Sequence, residues 1–287
     1  MFNLTINSTN VANSLNNMYQ YQFKNGAFEV PANAEMMITS FQIPYSWYNI
    51  TSRYNNNSFK IYWPNGAVGN YTAFTLTLDD GFYTVNALNA RIQQFCIEKG
   101  MYLTDGSGNN VYYVSITPNS TAYANQIITK LIPLSLPAGY VAPTVPAFAG
   151  YPSTTRRPPY IEILSNNNFG KFLGFTAGNY GITKTTDYNV LSNVIPQGSI
   201  VNSLIIKCSL VNNGTSNQSD ILDAFAIGGS SGGTFGGNLN YTNNIEKWVR
   251  ISEGRYNNFT VTIVDQNNNE ISILDNNLLI NFLIRVK

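Results

Sequence analysis

Apolar and polar residues alternate with a period of two along much of the chain, most clearly near its end. In Phe259-Thr-Val-Thr-Ile-Val264, Phe259, Val261 and Ile263 share one face, and Thr260, Thr262 and Val264 share the other. A turn-prone run follows, Asp265-Gln-Asn-Asn-Asn-Glu270. Then Leu278, Ile280, Phe282, Ile284 and Val286 again fall on one face, opposite Leu279, Asn281, Leu283, Arg285 and Lys287. Successive side chains of a strand point to opposite faces, so this pattern predicts strands with one buried side. It predicts an antiparallel sheet at the end of the chain and a sandwich whose closing strand is C-terminal.

The same reading predicts strands over residues 2–6, 18–23, 27–30, 35–43, 58–63, 71–78, 111–116, 127–131, 160–164 and 200–211. Pro44 stops the fourth of these, because proline cannot donate to a ladder. Pro64-Asn-Gly66 makes the turn between the fifth and sixth. One segment has a different period. Behind Thr84, a capping residue, Val85, Leu88, Ile92 and Phe95 recur at three- and four-residue spacing, and Gly100 follows. That spacing predicts a single helix packed beside a sheet.

Between Pro133 and Pro159 lie seven prolines together with Ala and Gly. Such a stretch can be neither a central strand nor a helix, so it reads as a long extended loop or an excursion from the domain. The expected organisation is a discontinuous domain of residues 1–103 and 159–287, carrying an insertion over 104–158. The run Phe169-Gly-Lys-Phe-Leu-Gly-Phe175 reads as a compact aromatic-glycine turn, and residues 227–237 as a flexible glycine tract.

Composition narrows the function classes. Only 11% of the residues are charged and 13% are aromatic, with 19 Tyr, 16 Phe and no His. Weakly charged surfaces rich in Tyr, Asn and Thr are cheap to desolvate and suit protein contacts, although a biased genome accounts for the Asn equally well. The net charge of +1 offers no field for nucleic acid or a membrane surface. No stretch approaches the roughly 20 apolar residues of a spanning helix. The first residues lack a secretory signal, so a cytosolic origin is expected. Cys96 and Cys208 sit in apolar contexts and are expected as reduced core residues.

Without histidine, the usual general acid–base at neutral pH, the triad nucleophiles and the commonest transition-metal ligand are all missing. Asp79-Asp80 has the look of a carboxylate pair, but an Asp-Gly turn needs these residues anyway. The glycine tract lacks the Gly-Lys-Ser/Thr ending of a phosphate loop. Arg156-Arg157 suits contact with nucleic acid or an acidic partner, or simply a solvated loop. Tyr45, Trp47 and Tyr48, or Tyr140, Phe148 and Tyr151, are candidate sugar platforms, against their more common use as core or interface anchors. No catalytic, cofactor-binding or metal-binding residue is expected.

Taken in order, several short patterns resemble those of penton and minor capsid proteins. These are single jelly-roll vertex proteins of virophages, Polinton-like viruses and related large DNA viruses. The patterns begin with Ile43-Pro-Tyr-Ser-Trp-Tyr-Asn-Ile50 and Asn55-Asn-Asn-Ser-Phe59, then Leu78-Asp-Asp-Gly-Phe-Tyr83 ahead of Leu88-Asn-Ala-Arg-Ile92. Phe172-Leu-Gly-Phe175 and the run from Val201 to Asn213 are similar to the next block. Phe259 to Asp265 and Leu279 to Arg285 complete the series. The Pro-rich stretch has no counterpart in it.

This resemblance implies an all-β fold, a single jelly-roll β-sandwich with one short helix and an inserted loop-rich β region. It implies a non-enzymatic structural protein forming homopentamers at the icosahedral fivefold vertices of a virion capsid. The partners would be major capsid proteins, trimers of double jelly rolls, and synthesis would take place in the host cytoplasm. Two alternatives stay open. One is a minor capsid cement protein; the other is a carbohydrate-binding, lectin-like β-sandwich whose insertion contacts a host glycan or receptor.

Overall fold

Runs rich in Val, Ile, Thr, Tyr and Phe are broken every few positions by Asn, Gly or Pro, and strands form where the runs are. The computed structural model describes residues 1–24, 26–214, 217–227 and 234–287. Strands are numbered β1 to β20 in chain order. The chain divides into two compact units, Met1–Trp47 with Val201–Lys287, and Tyr48–Ile200. Residues 104–158, expected as an insertion, lie inside the second unit, which begins earlier and ends later.

The first unit starts with β1 (Phe2–Asn7), β2 (Met18–Gln22), β3 (Phe28–Val30) and β4 (Ala34–Pro44). After the second unit it resumes with β14 (Ser203–Cys208), β15 (Ile221–Ala226), β16 (Asn238–Thr242), β17 (Val249–Arg250), β18 (Gly254–Tyr256), β19 (Asn258–Asp265) and β20 (Leu279–Val286). One sheet has the order β1-β20-β4-β16 and the other β15-β14-β19-β2; β17 adds to β4, and β3 pairs with β18. Eight strands shared in this order between two antiparallel sheets make a jelly roll. Strands β15 and β16 were not among the predicted strands. Residues 228–233 of the glycine tract lie outside the described residues.

The two closing strands correct one expectation. They do not pair; β19 lies between β14 and β2, while β20 lies between β1 and β4. They meet across the sandwich, where the Phe259 and Phe282 rings stand 6.4 Å apart at 89°. Phe41 against Phe225 at 4.0 Å, and the Cys208 thiol 4.0 Å from the Met36 sulfur, join the sheets in the same way.

Strand β4 shows how a local irregularity keeps the core apolar. Ala34, Met36 and Ile38 are buried, and then the buried set shifts to Phe41 and Ile43. The register against β20 slips at the same place, Asn281 facing Ser40 and Phe282 facing Ile38. Thr39 is the extra residue, and its hydroxyl donates to the Asn281 carbonyl at 3.2 Å. Since a one-residue slip turns every later side chain to the other face, the bulge is what puts Phe41 and Ile43 inside.

The second unit contains β5 (Ser58–Pro64), β6 (Tyr71–Thr77), α1 (Val85–Glu98), β7 (Tyr102–Thr104), β8 (Asn110–Tyr112), β9 (Val114–Asn119) and β10 (Ala124–Thr129). It continues with β11 (Tyr160–Ile163), α2 (Phe169–Leu173), β12 (Gly178–Tyr180) and β13 (Tyr188–Leu191). Its sheets have the orders β12-β11-β5-β6 and β13-β10-β9, with β7 and β8 as a ribbon. Helix α1 is capped as expected, the Thr84 hydroxyl accepting from Ala87 N–H at 3.1 Å. It buries Leu88, Ile92, Phe95 and Cys96 in a core shared with Phe59, Ile61, Trp63, Ile116 and Phe169.

The aromatic-glycine run expected as a turn is instead the short helix α2. Gly174 ends it in a left-handed conformation, φ 81°, where a Cβ would come 2.5 Å from the Val194 carbonyl oxygen. Only glycine fits there without displacing the backbone.

Candidate functional site

The acidic pair singled out from the sequence serves its own turn, Asp80 through its carboxylate and Asp79 through its main-chain carbonyl. Asp80 accepts from the Ser52 N–H at 2.7 Å and the Ser52 hydroxyl at 3.3 Å, while the Asp79 carbonyl accepts from the Tyr83 hydroxyl at 3.1 Å. Next to them Ile50 and Gly81 exchange both backbone bonds, so the pair braces a chain reversal. Among the described residues, no group of three or more Cys, Asp or Glu is arranged to hold a metal. Burial pushes the thiols of Cys96 and Cys208 up to about 12, which keeps both protonated and inert.

The Pro-rich stretch is extended, as predicted, but it is laced onto its unit rather than projecting from it. Val141 exchanges both backbone bonds with Thr104, and Ala149 N–H donates to Gly100. The Trp63 indole N–H donates to the Gly150 carbonyl at 2.9 Å. Gly66 N–H donates to Tyr151 and receives Ser153 N–H in return. Any side chain at Gly100 would run into the Ala147 carbonyl, and that position has φ 67°. The closeness of the passing Pro-rich chain therefore demands glycine there.

The structure separates the basic pair. Arg156 is exposed, whereas Arg157 is 3% exposed. One Arg157 nitrogen, Nη2, donates to the Gly66 and Ala67 carbonyls at 3.0 and 2.8 Å, and the guanidinium lies 5.1 Å from the centre of the Tyr71 ring. Its Nε and Nη1 are buried without a hydrogen-bond partner. Arg157 therefore ties the end of the Pro-rich stretch to the β5–β6 turn.

Neither aromatic group forms an open platform. Tyr45 and Trp47 are 6% and 1% exposed and pack together at 4.5 Å; Tyr48 belongs to the other unit. Phe148 lies 4.5 Å from Tyr151 and 5.7 Å from Trp63, so these rings anchor the Pro-rich stretch to the core of the second unit. Tyr140 packs against the same core.

Sequence reasoning missed the cross-strand charge clusters, which no spacing along the chain reveals. On the outer side of β5 and β11, Tyr62 stacks on Tyr160 at 4.4 Å and donates to Glu162 at 2.7 Å, and Lys60 stands 3.5 Å from the same carboxylate. The bond to Glu162 raises the Tyr62 hydroxyl to about 12. In the first unit, Glu35 of β4 receives Arg285 at 2.8 Å and Lys287 at 2.9 Å, while the Arg285 guanidinium covers Trp248 at 3.9 Å. Lys247 bonds to Asp223 at 3.1 Å and to the Tyr241 hydroxyl at 3.3 Å. A hollow of about 460 Å³ near Asn33 and Asn212 is polar, and its charged residues, Arg250 and Glu253, are exposed and opposite in sign. These arrangements pair charges and order loops; they hold no nucleophile beside a base.

No family model matches the chain, and no curated protein matches it. Among solved structures, it is similar to the mavirus penton protein at 10% identity and a TM-score of 0.48, over 99% of this chain and 98% of that one. It is similar also to a chain in the electron cryomicroscopy structure of the Sputnik virophage, at 12% identity and a TM-score of 0.42, over 94% and 92% of the two chains.

Proposed function

We propose that this chain is a structural capsid protein of the penton type, with no catalytic role. The observation that carries the reading is the strand order of the first unit, β1-β20-β4-β16 against β15-β14-β19-β2, with a whole second unit inserted between β4 and β14. A jelly roll buries its two sheets face to face and leaves loops at both ends for neighbours. The ordered series of short patterns that resembles penton proteins falls in both units and supports the same reading. Low surface charge supports it too.

In this proposal five copies form a ring through a heterologous interface, one side of each subunit meeting the other side of the next. The ring occupies a capsid vertex among double-jelly-roll major capsid trimers, after synthesis in the host cytoplasm. The inserted unit is Tyr48–Ile200 in its entirety, with the Pro-rich stretch as one of its surface layers. Native mass measurement of the purified protein tests this. A pentamer, or a pentamer that grows with concentration, is expected. A strictly monomeric protein that also forms no ring with its major capsid protein overturns the proposal.

A further inference from the structure

Strand β6 ends its sheet, and it lacks the features that usually protect an edge. Tyr71-Thr-Ala-Phe-Thr-Leu-Thr77 has no charge and no proline, and it pairs with β5 in one unbroken register. Natural edge strands are usually blunted by Lys, Pro or a bulge, because unpaired N–H and C=O groups otherwise recruit another strand. Thr72, Ala73, Thr75 and Thr77 are exposed, and among the described residues β5 is the strand's one partner.

The ladder shows which groups are free. Asn65 N–H donates to Asn70 at one end of the hairpin, and Leu78 N–H donates to Asn57 at the other. Hydrogen-bonded pairs alternate with non-bonded ones in an antiparallel ladder. Thr72, Phe74 and Leu76 therefore bond to Trp63, Ile61 and Phe59, their register partners. The backbone groups of Tyr71, Ala73, Thr75 and Thr77 point to the open side. Pro64 stands opposite Tyr71, at a position where no bond is needed.

We infer that this edge pairs with β6 of a second copy of the chain, antiparallel about a two-fold axis at Phe74. The strand is self-complementary in that register. Tyr71 meets Thr77 and Ala73 meets Thr75, so every free N–H and C=O finds a partner. Phe74 meets Phe74, and Thr72 meets Leu76, as non-bonded pairs whose side chains approach closely. Phe74 is only partly buried against its own core, and its symmetry mate covers the rest. Nothing charged opposes itself, and Lys60 and Glu162 on the neighbouring strands already neutralise each other. The neutral side chains match themselves in this register, Phe74 on Phe74 and Thr72 on Leu76, and that self-match selects a second copy as the partner. The junction is small against the roughly 1,000 Å² of a stable interface, so it is a weak, concentration-dependent contact, separate from that of a ring.

Disulfide trapping on the full-length protein reads the register. In a non-bonded antiparallel pair the Cα atoms lie about 4.5 Å apart, within the span a disulfide needs. The two native thiols are buried and give no background. F74C alone should form a covalent dimer under mild oxidation. A73C and T75C should each remain uncrosslinked alone and form a heterodimer only when mixed; both positions are exposed, so folding is spared. Adding T75P, which removes a free N–H and no internal bond, should abolish the F74C dimer. Equal cross-linking of A73C alone and of the mixture overturns the register. A complete absence of dimer in both F74C and the mixture overturns the pairing.

Discussion

The turn over residues 105–109 in the second unit and the turn over 265–269 in the first are built from the same bonds. In each, one Asp carboxylate oxygen accepts from backbone N–H groups two and four residues on, at 2.9 and 2.9 Å for Asp105 and 2.8 and 2.7 Å for Asp265. In each the fourth residue is left-handed, Gly108 at φ 83° and Asn268 at φ 64°. Yet Asp105 is half-exposed and its turn joins β7 to its own partner β8, while Asp265 is 1% exposed and its turn leads towards β20, in the opposite sheet. A local hydrogen-bond code thus sets the reversal of the chain. Where the chain goes next is set by the surface it must cover.

The same contrast runs through the units as wholes. Tyr48–Ile200 has nine Lys or Arg against six Asp or Glu, and the remaining residues have seven against nine. One core is built between two sheets and the other among two sheets and two helices. The two units therefore carry opposite net charge, and each has an ion pair between neighbouring strands, Lys60 with Glu162 and Arg285 with Glu35.

The largest expected effect breaks this comparison at the cores. Phe282→Ala removes a fully buried ring and should cost about 3–5 kcal/mol. Hydrogen exchange should show the loss of protection in β14 and β19 and little change in α1. Phe169→Ala, which removes the ring stacked on Phe59 at 4.8 Å, should do the reverse. An equal loss of protection in both units after either change would show one cooperative core instead of two.

Arg157→Ala should come next, at about 2–3 kcal/mol, since it strips charge-assisted bonds from the Gly66 and Ala67 carbonyls. Protease should then cut within residues 133–156 before it cuts elsewhere. Arg157→Lys should recover little, because an ammonium lacks the planar face that lies over Tyr71.

The paired turns give a sharper test. Asp265→Ala removes a buried carboxylate that holds the N–H groups of Asn267 and Asn269, and should cost about 2 kcal/mol. Asp105→Ala removes a half-exposed carboxylate that makes the same two bonds, and should cost distinctly less. Equal midpoints in urea for the two variants would remove burial as the distinction.

The smallest effect concerns pH. The Glu35 carboxyl lies below its ordinary range, chiefly through the hydrogen bond from Lys287 and also through Arg285. A depressed folded-state value gives stability that is present above the ordinary carboxylate range and lost as pH falls through the lowered one. Glu35→Gln should flatten that part of the acid limb of a stability–pH curve, by about 0.5 kcal/mol for a largely solvent-screened cluster. An unchanged acid limb would show that the pair contributes nothing measurable.

Much of the secondary structure was legible from periodicity. The faces of β19 and β20, the capped helix at Thr84 and the extended Pro-rich stretch all appear where alternation, spacing and proline content place them. The run at Phe169 was misread because a five-residue helix shows no period. Strands β15 and β16 were missed because β15 does not alternate cleanly, Leu222 and Asp223 both being buried, and β16 carries Asn at two of its five positions beside the glycine tract. Arg157 looked like half of a solvated pair; its burial follows from the approach of the Gly66 turn, far away in sequence.

Alternation along a strand determines which side chains go inside, because the pleat repeats every two residues whatever lies beside it. Composition alone showed that the chain has no histidine, wherever its residues come to lie. The choice of partner strand was decided only by the tertiary structure. Pairing depends on bringing distant segments together, and any neutral alternating strand fits many neighbours. That is why β19 and β20, adjacent in sequence, close opposite sheets, and why the unprotected edge of β6 becomes visible only once β5 has taken its other side.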